Sequence, residues 1–125
     1  MFIPVHDPEE ALGFYRDVLG FEVRNDVKKG EFRWVTIGAS GQDLDVVLSQ
    51  PHGGRSQEDG DALLELVTKG SIQAAIFAAT DLDRTFEQIV ASGVEILQEP
   101  KSQPWGARDC AVRDPSGNLI RIAQV

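Results

Sequence analysis

An internal repeat constrains this chain more than any other feature. Val5-His6-Asp7, followed by a helical segment and Gly20-Phe21-Glu22-Val23, matches Ala79-Thr80-Asp81, followed by a helical segment and Gly93-Val94-Glu95-Ile96. Each half reads as strand, helix, then three strands. Ser40-Gly41 falls in the first half where Ser116-Gly117 falls in the second. The expected fold class is therefore α+β: two βαβββ modules whose curved, mixed sheets form a cup. The expected division is 1–54 for the first module, 55–70 for a linker with a short helix, and 71–125 for the second. An ordinary α+β domain whose halves are alike by chance is the competing reading.

The local signals agree with the repeat. Asp7 is placed as a helix N-cap with Pro8 at the first helical position and Glu10 closing a capping box. Ala11, Leu12, Phe14, Tyr15, Val18 and Leu19 supply a helical-period apolar face, and Gly20 ends it. Strands are expected over 21–27, 32–37 and 43–49, then a polar loop over 50–60 and a short helix over 61–69. Asp81 caps a second-module helix that stops at Gly93. A strand over 94–97 and a Pro-containing loop over 98–106 lead to the closing hairpin. There Asp114-Pro115-Ser116-Gly117 has type I turn chemistry, with Gly117 as the left-handed residue of a bulged loop.

Composition removes several functions. The formal charge is −8, from 20 acidic against 12 basic residues, whereas phosphate backbones and anionic membranes need a basic face. Neither nucleic acid nor membrane is expected as a partner. No run approaches the ~20 apolar residues of a membrane span, and no basic-then-apolar leader opens the chain. The single cysteine cannot form an internal disulfide and fits a reducing, cytoplasmic setting. Gly-rich phosphate loops, Gly-x-Ser-x-Gly, Cys-x-x-Cys and His-Glu-x-x-His are all missing.

Three groups of residues carry a resemblance over nearly the whole chain. They are Val5-x-Asp7-Pro8 with Phe14-Tyr15-Arg16-Asp17-Val18-Leu19-Gly20-Phe21, Asp81-Leu82-Asp83 with Ala91-Ser92-Gly93-Val94, and Gln103-Pro104-Trp105-Gly106 with Arg113-Asp114-Pro115-Ser116-Gly117-Asn118. In this order they resemble the vicinal-oxygen-chelate superfamily of glyoxalases, bleomycin-resistance proteins and extradiol dioxygenases. That scaffold hosts many reactions, so the resemblance speaks to fold more than to chemistry. It implies a divalent metal held by His, Gln or Glu side chains from four strands. Carried over here, the first position falls five residues before Val5, ahead of Met1. The second is Ala74, which has no donor atom, and the last is Arg121, a cation that cannot ligate a metal. The remaining position is Asp45 by the repeat, or Val47 after a two-residue slip. No metal or other cofactor is therefore expected.

In place of a metal, Asp45 and Arg121 are expected to pair across the cup, or Arg121 to take an anionic ligand group in a bidentate fork; the competing reading is that both are solvated strand residues. Trp34 and Trp105 suit a cup that holds a flat organic ligand, with core or interface packing the alternative. Arg108, on the face of Cys110 and Val112, is expected to add positive charge to the same cup. His6 and His52 read as surface histidines and Cys110 as a small buried hydrophobe. The catalytic residues, if there are any, stay unassigned. The first expectation is a metal-free protein that binds an amphipathic or anionic small molecule, with Trp34, Asp45, Trp105, Arg108 and Arg121 as its ligand-binding set. The alternatives are a metal-dependent lyase, isomerase or dioxygenase of the glyoxalase kind, and a structural dimer without ligand. The resemblance also implies a homodimer.

Overall fold

The computed structural model describes Met1–Val125. In chain order the elements are β1 (Phe2–Pro4), α1 (Pro8–Tyr15), β2 (Glu22–Lys29), β3 (Phe32–Gly38), β4 (Val46–Ser49), α2 (Gln57–Thr68), β5 (Gln73–Ala79), α3 (Leu82–Ser92), β6 (Ile96–Ser102), β7 (Arg108–Arg113) and β8 (Leu119–Gln124). They build two four-stranded mixed sheets of identical topology, β1-β4-β3-β2 and β5-β8-β7-β6. In each, the strand before the helix lies parallel to the last strand of its module, and the other pairs are antiparallel. Three helices complete an α+β fold.

The helix starts follow from their caps. Asp7 accepts from the Glu9 amide at 2.9 Å with Pro8 next in line, and Asp81 accepts from the Arg84 amide at 3.2 Å. Glu10 points away from the Asp7 amide and lines a groove, so the reciprocal half of the capping box does not form. α1 packs on β3 and β4, and α3 on β6 and β8. Alternation then turns one face of the central strands to the core. Ile3, Val35, Ile37, Val46 and Leu48 join Cys110, Val112, Ile120 and Ile122 in one core cluster that spans both modules.

The hairpin turn ties the modules together. One oxygen of Asp114 accepts from the amides of Ser116, Gly117 and Asn118 at 2.9–3.0 Å. The other accepts from the Tyr15 hydroxyl at 2.7 Å and from the Asn118 amide nitrogen at 2.9 Å. Asn118 also donates to the Pro4 carbonyl at 2.6 Å, and Ser116 accepts from the His6 amide at 2.9 Å. Asp-Pro-Ser-Gly-Asn thus satisfies its own turn while reaching β1 and α1 of the other module. Gly117 is required here: its φ is 109°, and an added Cβ would lie 2.5 Å from the Val67 carbonyl of α2. Burial and the neighbouring Asp114 carboxylate push the Tyr15 phenol well above its ordinary pKa.

Four element boundaries differ from expectation. α1 ends at Tyr15 with Arg16 as its C-cap, and residues 16–19 continue as turns, so the helix stops short of Gly20. β4 starts at Val46 and not at residue 43, because Arg24 holds the preceding loop through the Ala39, Gln42 and Leu44 carbonyls. α2 starts at Gln57, capped by Ser56 accepting from Asp59 at 3.2 Å, so the expected loop is shorter. β6 continues through Pro100 to Ser102 where a loop was expected. It tolerates proline because it is an edge strand whose register slips between Gln98 and Lys101.

Candidate ligand-binding site

The face of each sheet that the helices leave open carries the residues of interest. Cross-strand register defines matching rows on the two faces. Phe2, Val47, Thr36 and Asn25 lie side by side on the first sheet. Ile76, Arg121, Ala111 and Gln98 lie side by side on the second. Both rows follow a one-residue bulge, at Arg24 in β2 and at Leu97 in β6. The correspondence extends to solvent exposure, since Phe2 and Ile76 are each 64% exposed.

This register settles which residue corresponds to Arg121. It is Val47, because Val47 pairs with Phe2 as Arg121 pairs with Ile76. Asp45 stands before β4, and counting from the turn glycine misplaced it because the first-module loop is the longer one.

The expected pair of Asp45 with Arg121 does not form. Asp45 instead receives Nη1 of Arg24 at 2.8 Å. Arg121 lies against Asp109, its Nη1 3.3 Å from one carboxylate oxygen. Arg108 does share a face with Cys110 and Val112, as expected, but that is the buried face. Its guanidinium turns to Asp83 of α3 at 2.7 Å, on the far side of the sheet from Arg121. It cannot contribute charge to the open face.

Trp34 stands on the open face of the first sheet, between Ser49 and Val27 in register. It is half-buried, edge-on to Phe32, with Gly53 close over its ring. Trp105 sits in the β6–β7 turn and is 68% exposed. None of the five expected residues lines any of the fold's three cavities. The largest, about 760 Å³, lies on the helix side between α1 and the Asp114 turn.

Sequence reasoning missed the support of Arg121. Asp109 is buried, and it accepts from Nε2 of Gln103 at 2.8 Å. The same Gln103 nitrogen donates to Gln98 Oε1 at 2.9 Å, and Gln98 Oε1 lies 3.4 Å from Arg121 Nη1. The hairpin offered the signal: strand alternation puts Asp109 with Ala111, on the face opposite Cys110 and beside Arg121.

No group of three or more His, Cys, Asp or Glu side chains converges anywhere in the fold. Of the two histidines, His6 contacts Thr68 Oγ1 at 3.0 Å and His52 contacts Asp61 at 2.8 Å. Burial pushes the Cys110 thiol up, which keeps it an unreactive core residue.

Comparison with known proteins agrees with this architecture. The uncharacterized protein YurT of Bacillus subtilis is 31% identical over 122 residues, covering 96% of this chain and 92% of YurT. The crystal structure of UcmS2 superposes with a TM-score of 0.86 at 32% identity, covering 100% of this chain and 95% of that one. TnmS3, an antibiotic binding protein from a Streptomyces species, superposes with a TM-score of 0.76 at 27% identity, covering 99% and 91%. Residues 1–122 match the family model for glyoxalases, bleomycin resistance proteins and dioxygenases. With its duplicated sheets and that match, the chain belongs to the Glyoxalase/Bleomycin resistance protein/Dioxygenase superfamily.

Proposed function

We propose that this chain is a metal-independent binding protein for an amphipathic small molecule, held on the open faces of its sheets. One observation carries the reading. The row position that a chelating side chain would need holds Val47 on one sheet and a buttressed arginine, Arg121, on the other. A hydrophobe and a fixed cation are poor metal ligands but suitable contacts for an organic molecule with an apolar body and a polar end. The likeness to TnmS3 supports the same reading. Trp34 on the first face supplies an aromatic contact. The exposed Phe2, Val27 and Ile76 leave apolar area for a second copy to cover, so the working unit in this reading is a homodimer.

The test is direct. Purified protein is titrated with a panel of polycyclic aromatic drugs while tryptophan fluorescence and calorimetry are followed, and its metal content is measured. The expected outcome is saturable quenching that survives a Trp105→Phe change and is lost with Trp34→Phe, without bound metal. Stoichiometric iron, zinc, manganese or nickel, with no binding from the panel, would overturn the proposal. Light scattering checks the dimer separately.

A further inference from the structure

Four arginines are enclosed to a similar degree. The side chains of Arg24, Arg33, Arg113 and Arg121 are 23, 23, 27 and 28% exposed. Three of them meet protein partners through two or more of their nitrogens. Arg33 gives Nε and Nη2 to Asp26 at 2.8 and 2.6 Å and Nη1 to Glu9 at 2.5 Å. Arg24 is engaged through all three nitrogens. Arg113 Nε lies 2.8 Å from a Glu95 carboxylate oxygen as an ion pair, and Nη1 donates to the Gly70 and Gly117 carbonyls, both at 3.1 Å.

Arg121 is the exception. Only Nη1 is bonded, at 3.3–3.4 Å to Asp109 and Gln98. Charge-assisted contacts ordinarily close to about 2.7–2.9 Å, so this guanidinium is steadied more than it is satisfied. Its Nε–Nη2 edge has no protein partner, and that edge is the one that forks onto two coplanar oxygens. Beside these polar contacts its neighbours in register are small or apolar: Ile76 and Ala111 flank it in the row, with Ala123 and Ala78 paired in the next.

We propose that Arg121 receives a carboxylate carried on a flat apolar body, with Asp109 and Gln103 as positioning residues. This rests on the reading of the chain as a small-molecule binder and names the ligand's polar end. A carboxylate supplies two coplanar acceptors at the spacing of the free edge. A phosphate dianion would instead bring double charge against the Asp109 carboxylate. The chain's charge of −8 repels any anion at a distance, but that field is screened within about 8 Å at physiological ionic strength. Selection therefore happens at contact.

The experiment compares naphthoate with its methyl ester by calorimetry on the full chain. The ester keeps the flat body and removes the charge and one acceptor. The wild type binds the acid about tenfold or more better than the ester, the effect of a hydrogen bond to a charged group. Arg121→Leu abolishes that preference and leaves ester binding within about twofold, while Arg121→Lys, which keeps the charge without the fork, recovers only part of it. Asp109→Asn and Gln103→Leu change the acid-to-ester ratio, whereas a purely structural role would weaken both ligands together. Equal affinity for acid and ester, or a preference that survives Arg121→Leu, overturns the inference. If the drug panel binds and naphthoate shows no preference, only this inference fails; if neither binds, the binding reading fails with it.

Discussion

The two open faces share a backbone and differ in chemistry. Row by row, Phe2 answers Ile76, Val47 answers Arg121, Thr36 answers Ala111 and Asn25 answers Gln98. The first row carries no charge and has Trp34 beside it. The second centres on a guanidinium backed by a buried carboxylate. The loops between the third and fourth strands of each module differ in the same manner. On the first module, Arg24 donates to the carbonyls of its loop; on the second, Asp114 accepts from the amides of its turn. Topology and register are thus set by the burial of the opposite faces, which leaves the open faces and loops free to diverge.

The comparison makes the second turn indispensable and the first dispensable, and variants can break it. Asp114→Ala strands three amides, the Tyr15 hydroxyl and an Asn118 donor, and is expected to cost about 3–5 kcal/mol in denaturant unfolding. An equal loss from Arg24→Met would remove the asymmetry; a smaller one, confined to faster amide exchange in residues 39–45, is expected. The repeat-related glycines sharpen the point. Gly117→Ala meets both its positive φ and the Val67 carbonyl and should cost about 2–3 kcal/mol; at Gly41, with open space around it, the strain of positive φ alone costs about 1 kcal/mol. Thermal denaturation of the pair reads the difference.

A modest effect is expected at Tyr15, where Tyr15→Phe removes one of the five hydrogen bonds to Asp114 and costs about 1–2 kcal/mol. Its pH dependence has a definite sign. The folded phenol titrates above the unfolded one, so its contribution is whole below about pH 10 and is lost as pH rises beyond that. Because Tyr15 is the only tyrosine, tyrosinate absorbance reports it alone. Alkaline unfolding should track that signal, and the extra alkaline sensitivity should vanish in Tyr15→Phe.

Much of the fold was legible because short-range chemistry specifies it. Asp7, Asp81, Gly93 and the Asp114 turn act within a few residues of themselves, and the repeat extended them to a topology. The site was less legible. Alternation correctly put Arg108 with Cys110 and Val112, but only packing says which face of a strand the helices cover. The choice between Asp45 and Val47 depended on a loop length that no local signal counts. Asp109 and Gln103 are strand and turn residues with no motif, and they gain meaning only when register brings them beside Arg121.

The paired bulges have a practical consequence for anyone who would rebuild this protein. Arg24 and Leu97 are each a surplus residue in an edge strand, and each switches the strand's phase partway along its length. A graft from one module to the other would have to carry that extra residue with it. Iron out the bulge while keeping Leu97, and Leu97 would take the place of Ile96 opposite Val112, turning Ile96 from core to the open face and displacing everything before it.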